Sequence, residues 1–321
     1  MINLKNIVLL DGKTMGDFDF SALNELGNFK YYDFTTTEEV VDRIKEANVI
    51  ITNKVILNKN NLKEAKNLEI ICEMATGYNN IDIEYAKNNS IAVTNVAGYS
   101  TNTVAQHTFA VLLNLCNKIA YYDNYVKSGN YTNSDIFTHL DKPLNDISGK
   151  TFGIIGLGEI GKKVARIAEA FGAKVIYYST SGKNSTNEFE MVDFEKLLNK
   201  SDIISIHAPL NERTLGLINY EAMKKMKKSA ILINMGRGPI VVEEDLAKAI
   251  EEDLIGGAAL DVFEKEPMNK ENALLKIKNK DKLILTPHIA WASVESRTKL
   301  FNEVIENIKA YYKGDMKNRI V

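Results

Sequence analysis

Few cysteines, few prolines and no long apolar run distinguish this sequence. Cys72 and Cys116 are the only two cysteines among 321 residues, and neither has a CxxC spacing or a histidine cluster beside it. A disulfide framework and a structural zinc site are therefore not expected. No stretch approaches the about 18 consecutive apolar residues of a membrane span, and the N-terminus lacks the apolar core of a secretory signal. We expect a cytoplasmic protein with reduced thiols, no metal site and no membrane partner.

An excess of charge of either sign is also absent. Forty lysines and arginines stand against 42 aspartates and glutamates, which gives a net charge of −2. The protein therefore has no general basic field that would attract nucleic acid. The content of 45% hydrophobic and 26% charged residues is that of an ordinary globular protein. At about 150 residues per domain, the length predicts two domains.

Short β-branched runs alternate with segments of helical period along almost the whole chain. This alternation predicts two successive α/β units, each with a parallel sheet and helices on both faces. The predicted strands cover residues 7–10, 49–52, 69–72, 91–94, 151–155, 174–178, 203–206, 230–234, 257–262 and 283–286. Predicted helices include 37–47, where Thr36 and Glu39 have capping-box spacing, a long connector over 103–127, and a last helix over 293–313. Residues 128–148 are predicted to be irregular.

A glycine-rich loop gives the strongest local signal. Gly156, Gly158 and Gly161 form G-x-G-x-x-G directly after the predicted strand 151–155 and at the start of a segment of helical period. Glycines at this spacing allow a tight turn, a close approach of the backbone to a pyrophosphate, and close packing of helix on strand. The amides of the helix N-terminus then face the anion. The loop therefore predicts a dinucleotide cofactor.

The carboxylate that usually follows the second strand of such a unit is missing. That residue, about 20 positions further on, binds the ribose hydroxyls of NAD. Here the strand is followed by Ser179, Thr180, Ser181 and Lys183, and no carboxylate precedes Glu188. Hydroxyl groups and a lysine would tolerate the 2′-phosphate of NADP. Two interpretations stay open: binding of NADP, alone or besides NAD, and binding of NAD through other contacts.

Only four histidines occur, and two of them follow predicted strands. His288 comes after strand 283–286 and His207 after strand 203–206, at the strand ends where open α/β sheets bind ligands. For His107, inside the long predicted helix, and His139, in the irregular stretch, a structural role is the better interpretation.

Further charged side chains follow the neighbouring strands. Arg237 lies between two glycines after strand 230–234, Asp261 lies at the end of strand 257–262, and Glu266 follows shortly after. A surface ion pair for Arg237 and a solvated carboxylate for Glu266 are the alternatives to a functional role. Prolines, which fix the backbone of loops, punctuate these same segments. They are Pro209, Pro239, Pro267 and Pro287, four of the five in the chain.

Taken in chain order, these motifs carry a resemblance to a known family. G-x-G-x-x-G, His-Ala-Pro-Leu, Asn-x-x-Arg-Gly-Pro, Ala-Leu-Asp-Val-Phe-Glu-x-Glu-Pro and Thr-Pro-His-Ile-Ala resemble the motifs of D-isomer-specific 2-hydroxyacid dehydrogenases. Residues 75–82 and 96–105 are similar to the family's N-terminal motifs, so the resemblance extends over essentially the whole chain. It implies a Rossmann NAD(P)-binding domain, residues 101–289, inserted into a flavodoxin-like substrate domain of residues 1–100 and 290–321. It also implies a homodimer.

The resemblance implies a catalytic set of Arg237, Glu266 and His288. Nicotinamide would deliver hydride to the carbonyl of a 2-oxo acid while protonated His288 donates a proton to the developing alkoxide. Glu266 would pair with the imidazolium and keep the acid form present near neutral pH. Arg237 would hold the substrate carboxylate and polarise the carbonyl.

Binding positions are implied by the same resemblance. Backbone amides of Ala75, Thr76 and Gly77 would bind the substrate carboxylate. Asp261 would bind the nicotinamide amide, and Val104 would lie beneath the ring. The positions implied to contact the cofactor, NAD or NADP, are Val104, Gly156, Leu157, Gly158, Glu159, Ile160, Gly161, Ser179, Thr180, His207, Ala208, Pro209, Thr214, Asn234, Met235, Gly236 and Asp261.

Trp291, Phe137 and residues 75–77 are most similar to the glycerate dehydrogenase, or hydroxypyruvate reductase, branch of the family. Hydroxypyruvate is therefore the expected substrate, with Trp291 contacting it and glyoxylate as a second substrate. D-lactate or another 2-oxoacid pair remains an alternative. Phosphoglycerate is disfavoured because no added basic cluster occurs, and formate is disfavoured because Glu266 stands where that branch usually has an amide. An alternative of another class is a dinucleotide-sensing corepressor that binds other proteins.

Overall fold

The computed structural model describes residues 5–182 and 186–321. The chain divides into two compact units, one formed by Met1–Tyr99 with Ala292–Val321 and the other by Ser100–Trp291. Each unit is built on one sheet in which every strand pair is parallel. The predicted α/β class with two parallel sheets is therefore confirmed. Lys183, considered above for a 2′-phosphate, lies outside the described residues.

The first unit contains a five-stranded sheet in the order β2-β1-β3-β4-β5. This is the strand order of flavodoxin-like folds, as predicted. Its elements up to residue 99 are β1 (Lys5–Leu9), β2 (Gly27–Tyr31), α1 (Val40–Ile44), β3 (Val49–Thr52), α2 (Lys59–Leu62), β4 (Ile70–Glu73), α3 (Ile83–Asn88) and β5 (Ala92–Thr94).

The second unit contains a seven-stranded sheet in the order β12-β11-β10-β9-β6-β7-β8. Its first six strands in chain order, β6 to β11, have the Rossmann arrangement, and β12 extends one edge. The elements are α4 (Thr101–Asn117), α5 (Ile119–Lys127), β6 (Thr151–Ile155), α6 (Glu159–Ala170), β7 (Lys174–Tyr178), β8 (Glu190–Met191), α7 (Phe194–Lys200), β9 (Ile203–Ile206), α8 (Tyr220–Lys224), β10 (Ile231–Asn234), α9 (Glu243–Glu251), β11 (Gly257–Leu260) and β12 (Leu283–Leu285). The last helix, α10 (Val294–Lys313), belongs to the first unit.

The central strands read as continuous apolar runs because both faces of each sheet are covered. In β9, Ile204 and Ile206 pack with Leu232 on one face, whereas Ile203 packs with Phe152 on the other. This period of two in a strand that is apolar except for the buried Ser205 is typical of a buried parallel strand. This packing determines the position of the parallel strands. The loops that follow the strands therefore lie together at the edge formed by the carboxyl ends of the strands.

Two details of the sequence interpretation were wrong. The connector predicted as one helix over 103–127 is two, because Lys118 adopts a left-handed conformation with φ of 52° between α4 and α5. Helical period alone does not report one residue in that region. The edge strands β2 and β8 were missed because most of their residues are at least partly exposed, so they lack the apolar run used to find strands.

Membrane, metal and thiol chemistry can be checked over the described residues. Within 5–182 and 186–321, no helix combines the length and apolarity needed to cross a bilayer. In the same residues, no group of three or more histidine, cysteine or acidic side chains is arranged for a metal ion. Cys72 and Cys116 are buried free thiols.

Candidate active site

The three glycines of the loop after β6 have different surroundings. Gly156 has φ of 92°, and a Cβ there would lie 2.8 Å from the backbone of Ala208. At Gly161, a Cβ would lie 2.3 Å from the carbonyl oxygen of Gly156, so only glycine allows α6 to approach the turn. Gly158, at the N-cap of α6, has φ of −79° and no atom within 4 Å of such a Cβ. The space beside Gly158 is therefore open.

This geometry fits the pyrophosphate of a dinucleotide. The first glycine makes the turn, the third allows packing, and the second leaves room for phosphate at the N-terminus of a helix of 12 residues. The amides of that first turn can donate to an anion, and the helix dipole favours its charge. Leu157 is buried, whereas the Glu159 side chain is exposed and paired with Lys162.

The end of β7 carries hydroxyl groups and no acid. Ser179 and Thr180 directly follow the strand and are partly exposed. Glu188, the next carboxylate along the chain, is bound by Arg166 through two nitrogens at 2.7 and 3.0 Å. A carboxylate held by an arginine is already satisfied, so Glu188 does not replace the missing acid.

His207 follows β9 and lies beside the glycine turn. Its Nε2 is 2.8 Å from the hydroxyl oxygen of Ser205, and its buried Nδ1 has no hydrogen-bond partner among the described residues. Burial lowers the pKa of His207 to about 3, so the ring is neutral at physiological pH. Its Nδ1 is an unpaired polar atom at the edge where the cofactor is expected. The neighbouring Thr214 is fully buried and donates to the carbonyl of Pro209, which stabilises this loop.

Arg237 lies in a loop that the side chain of Asn234 stabilises with two hydrogen bonds. The buried Asn234 amide donates to the carbonyl of Arg237 at 2.9 Å and accepts from the N–H of Gly236 at 3.0 Å. The Arg237 guanidinium donates to the carbonyl of Gly236 at 2.8 Å and, over the described residues, forms no ion pair. A Cβ at Gly238 would overlap the backbone of Phe263, so this loop packs directly against the one that carries Glu266.

His288 and Glu266 form a hydrogen-bonded pair. Nδ1 of His288 lies 2.7 Å from Oε2 of Glu266, and Oε1 of Glu266 accepts from the N–H of Phe263 at 3.0 Å. The side chains are 23% and 33% exposed, so the pair is accessible. His288 has a left-handed backbone with φ of 55°, which is rare outside glycine and costs energy, and such residues cluster at functional sites.

Asp261 organises the loop around His288. It is 1% exposed, and its carboxylate accepts from the Thr286 hydroxyl at 2.6 Å, from the Ile289 N–H at 2.9 Å and from the Ala290 N–H at 2.8 Å. Its own carbonyl accepts from the N–H of His288 at 2.8 Å. Three of the roughly four acceptor positions of the carboxylate are thus filled from this one loop.

Two residues near this loop were not selected by sequence reasoning. Nε2 of His107, on α4, lies 3.0 Å from the hydroxyl oxygen of Thr286. His107 was interpreted as structural because it lies inside a helix. The signal that could have selected it is its position one turn after Val104, on the same helix face. Thr286 lies two residues before His288 and could have been read as part of that turn.

The first unit carries the loop predicted to bind carboxylate. The carbonyl of Ala75 accepts from the N–H of Val96 at 2.9 Å, and the carbonyl of Thr76 accepts from the amide of Asn95 at 2.7 Å. The backbone N–H groups of Ala75, Thr76 and Gly77 have no acceptor in the described part of the chain. This loop therefore offers three adjacent donors.

The remaining predicted positions lie in the second unit. Val104, Ala208 and Met235 are buried, Ile160 and Trp291 are partly buried against the hydrophobic core, and Pro209 is exposed.

Comparison with known proteins gives a consistent result. The sequence model described as "D-isomer specific 2-hydroxyacid dehydrogenase, NAD binding domain" matches residues 109–290. Hydroxypyruvate reductase of Blautia hydrogenotrophica is 38% identical over 320 residues, which cover 97% of this chain and 98% of that protein. Glycerate dehydrogenase of Methylorubrum extorquens is 38% identical over 315 residues, covering 98% of each.

A solved structure agrees over the same length. The D-lactate dehydrogenase of Aquifex aeolicus, complexed with NAD and lactic acid, has a TM-score of 0.86 and 29% identity, covering 98% of this chain and 99% of that one. The motifs at the strand ends, the two parallel sheets and these matches lead to one conclusion. The chain belongs to the D-isomer specific 2-hydroxyacid dehydrogenase family.

Proposed function

We propose that this member of the family reduces hydroxypyruvate to D-glycerate with a nicotinamide dinucleotide, and accepts glyoxylate as a second substrate. The observation that carries the proposal is the His288–Glu266 pair at 2.7 Å, in a loop next to the one that presents Arg237, whose guanidinium forms no ion pair within residues 5–182 and 186–321. Reduction of a 2-oxo acid needs a proton donor and a clamp for the carboxylate, and these residues supply both.

His288 acts as the general acid. Because Nδ1 is bound to Glu266, Nε2 is the nitrogen left to donate a proton to the carbonyl oxygen. Glu266 holds the imidazole through Oε2, and its Oε1 is fixed by the Phe263 N–H, so the ring has a defined orientation. When bound, the reduced cofactor supplies the hydride that reaches the carbonyl carbon. Hydride and proton together convert the 2-oxo acid to the 2-hydroxy acid.

Arg237 binds the substrate carboxylate and polarises the carbonyl. A guanidinium offers a planar set of donors that matches a carboxylate, and it keeps its charge at all working pH values. In the first unit, the three free N–H groups of residues 75–77 are proposed as further donors to an anionic substrate. Trp291 is proposed to contact the substrate side chain.

Cofactor binding is proposed to involve the loop at residues 156–161, the segments 207–209 and 234–236, Val104 beneath the ring, and Asp261. The fourth acceptor position of Asp261 would take the carboxamide of the nicotinamide. Because Ser179 and Thr180 stand where an acid would repel a 2′-phosphate, we propose that NADPH is used as well as NADH. Use of NADH alone would refute this part.

The hydroxypyruvate assignment draws on two relatives that are named hydroxypyruvate reductase and glycerate dehydrogenase. Other relatives are named glyoxylate reductase, such as that of Thermococcus litoralis at 40% identity. A rate panel of hydroxypyruvate, glyoxylate, pyruvate and 3-phosphohydroxypyruvate with NADH and NADPH tests the choice. The proposal expects the highest kcat/KM for hydroxypyruvate. A preference for pyruvate would favour the lactate alternative, and no turnover with any acid would favour a dinucleotide-sensing binding protein.

Matched variants test the mechanism. His288→Gln should lower kcat by about 10²–10⁴-fold, the usual contribution of a positioned acid. Glu266→Gln should lower kcat as well, whereas Glu271→Gln, an exposed carboxylate paired with Lys276, should not. Wild-type kcat in His288→Gln would show that the acid is misassigned.

A homodimer is proposed on the strength of an apolar surface. Several exposed apolar side chains lie on α5 and in the segment after it, and exposed apolar surface beyond scattered single residues marks interaction sites. They are Ile119, Val126, Tyr131, Ile136, Phe137, Leu140 and Leu144. Sedimentation should give a dimer for the wild type and a monomer for Phe137→Asp; a monomeric wild type would refute the proposal.

Location in the cytoplasm stays a prediction, which cell fractionation would test.

A further inference from the structure

A chain of hydrogen bonds joins α4 to the loop that carries His288. Nε2 of His107 lies 3.0 Å from Oγ1 of Thr286, and this oxygen lies 2.6 Å from Oδ1 of Asp261. His107 is 19% exposed and Asp261 1%, so the chain runs from a largely buried position into the interior. Neither His107 nor Thr286 has a place in the mechanism proposed above.

The direction of these bonds follows from the number of hydrogens. The hydroxyl of Thr286 has one hydrogen, and the carboxylate of Asp261 can only accept, so the hydroxyl donates to Oδ1. The hydroxyl oxygen must then accept from His107, which requires a hydrogen on Nε2. The geometry therefore fixes Nε2–H as the donor, whether or not Nδ1 is also protonated.

Asp261 is hydrogen-bonded to His288 and to residues on both sides of it. Its carboxylate accepts from the N–H groups of Ile289 and Ala290, and its carbonyl accepts from the N–H of His288. Thr286 precedes the histidine and bonds to the same carboxylate, so residues 286–290 are held by one residue, through its carboxylate and its carbonyl. The left-handed φ of 55° at His288 depends on such external bonds, because an isolated non-glycine residue disfavours it.

We propose that His107 and Thr286 are positioning residues for catalysis, which orient Asp261 and thereby aim the imidazole of His288 at Glu266. This inference rests on the proposed function, because it assigns a role to residues around the proposed acid. A loss of either bond would weaken the hold on the Asp261 carboxylate, which would still accept from Ile289 and Ala290, and would shift His288 without removing any group that touches substrate. Misplacement of a reacting group by about 1 Å can cost about 100-fold in rate.

Two pairs of variants separate positioning from simple structural support. Thr286→Val removes the hydroxyl at nearly constant volume, whereas Thr286→Ser keeps it. His107→Leu removes the donor, whereas His107→Gln keeps an N–H at a similar reach. Thr108→Val is the control, since Thr108 is a fully buried threonine on α4 whose hydroxyl donates only to the carbonyl of Val104.

The kinetic expectation is a change in kcat with little change in KM. Thr286→Val and His107→Leu should lower kcat by about 10- to 100-fold while KM for the 2-oxo acid stays within about three-fold, because the carboxylate clamp is untouched. Thr286→Ser and His107→Gln should restore most of the rate, and Thr108→Val should keep wild-type kcat. Wild-type kcat in both Thr286→Val and His107→Leu would overturn the proposal, as would a failure of both conservative variants to restore it.

A spectroscopic readout is independent of turnover. With ¹⁵N-labelled histidine, the four imidazoles can be assigned by substitution, and the signal of His107 should report a hydrogen on Nε2. In Thr286→Val this signal should shift and its hydrogen should exchange faster with water. A wild-type His107 that carries its hydrogen on Nδ1 alone would overturn the bond direction. If the wild type reduces no 2-oxo acid, the proposed function fails, and the NMR result still decides the hydrogen-bond chain.

Discussion

Alanine substitutions at Gly158 and Gly161, two positions of the glycine loop, should separate an effect on cofactor binding from an effect on folding. Gly158→Ala should leave the fold intact, because its φ of −79° suits alanine and its Cβ would meet no atom within 4 Å. Alanine would gain about 0.4–1 kcal/mol by restricting the unfolded chain and lose a similar amount as a poorer N-cap. The net change in the free energy of unfolding should therefore be close to zero.

Gly161→Ala should behave in the opposite way. Its Cβ would lie 2.3 Å from the carbonyl oxygen of Gly156, a backbone atom that cannot rotate aside. Relief requires a shift of α6 against β6 by roughly 1 Å, at a cost of about 1–3 kcal/mol as in other overpacked sites. At about 2–4 °C per kcal/mol, Tm should fall by roughly 2–12 °C.

Binding of the dinucleotide should follow a different ranking from stability. The methyl group of Gly158→Ala would occupy the open space at the helix N-terminus, where the pyrophosphate must approach the backbone. We expect affinity for NADH and NADPH to fall at least about ten-fold, or about 1.4 kcal/mol. Titration of NADH fluorescence with purified protein measures this without turnover, and urea unfolding supplies the stability. Wild-type affinity in Gly158→Ala would refute the assignment of this loop, and wild-type stability in Gly161→Ala would refute the packing argument.

Three further predictions concern charge. Burial raises the pKa of Glu73 well above its ordinary value, so the folded state keeps a proton that the unfolded chain releases above about pH 4.5. Glu73→Gln should therefore be more stable than wild type in urea at about pH 8, and this advantage should shrink toward about pH 4; equal pH profiles would contradict it. Burial lowers the pKa of His207 to about 3, so its contribution to stability is lost as the pH falls below about 6.5, at up to about 1.4 kcal/mol per pH unit. His207→Gln should show a shallower loss between about pH 6.5 and 4, and an unchanged slope would mean that the ring is not buried neutral. Ser179→Asp should lower kcat/KM with NADPH by at least about ten-fold and spare NADH, and equal losses with both cofactors would show that this strand end does not meet the 2′-phosphate.

The parts of the fold that could be predicted are those where burial controls the sequence. Strands β3, β6, β7 and β9 have the predicted bounds because strands buried on both faces are mostly apolar along their length. The edge strands β2 and β8 escaped because exposure relaxes that requirement. The break at Lys118 escaped because one left-handed residue leaves no mark on helical period.

The candidate site was predictable where strand ends alone determine position. Arg237, Asp261 and His288 each follow a predicted strand, which placed them at the ligand edge of a sheet, and the family resemblance then selected them together; the structure shows that the strands before them are adjacent. The bond between His107 and Thr286 joins residues 179 positions apart through a helix that crosses that edge. No local pattern reports how far a helix lies from a loop.

The backbone conformation of His288 explains why so many hydrogen bonds at this edge of the sheet go to Asp261. A left-handed conformation at a residue other than glycine costs on the order of 1–3 kcal/mol. A glycine at position 288 would avoid this cost, but it would also remove the imidazole. The N–H of His288 and those of Ile289 and Ala290 all donate to Asp261, and at about 1 kcal/mol each these bonds offset the strain. A single buried acid can therefore hold a strained histidine against Glu266, provided that its own orientation is fixed, and Thr286 with His107 supplies that condition.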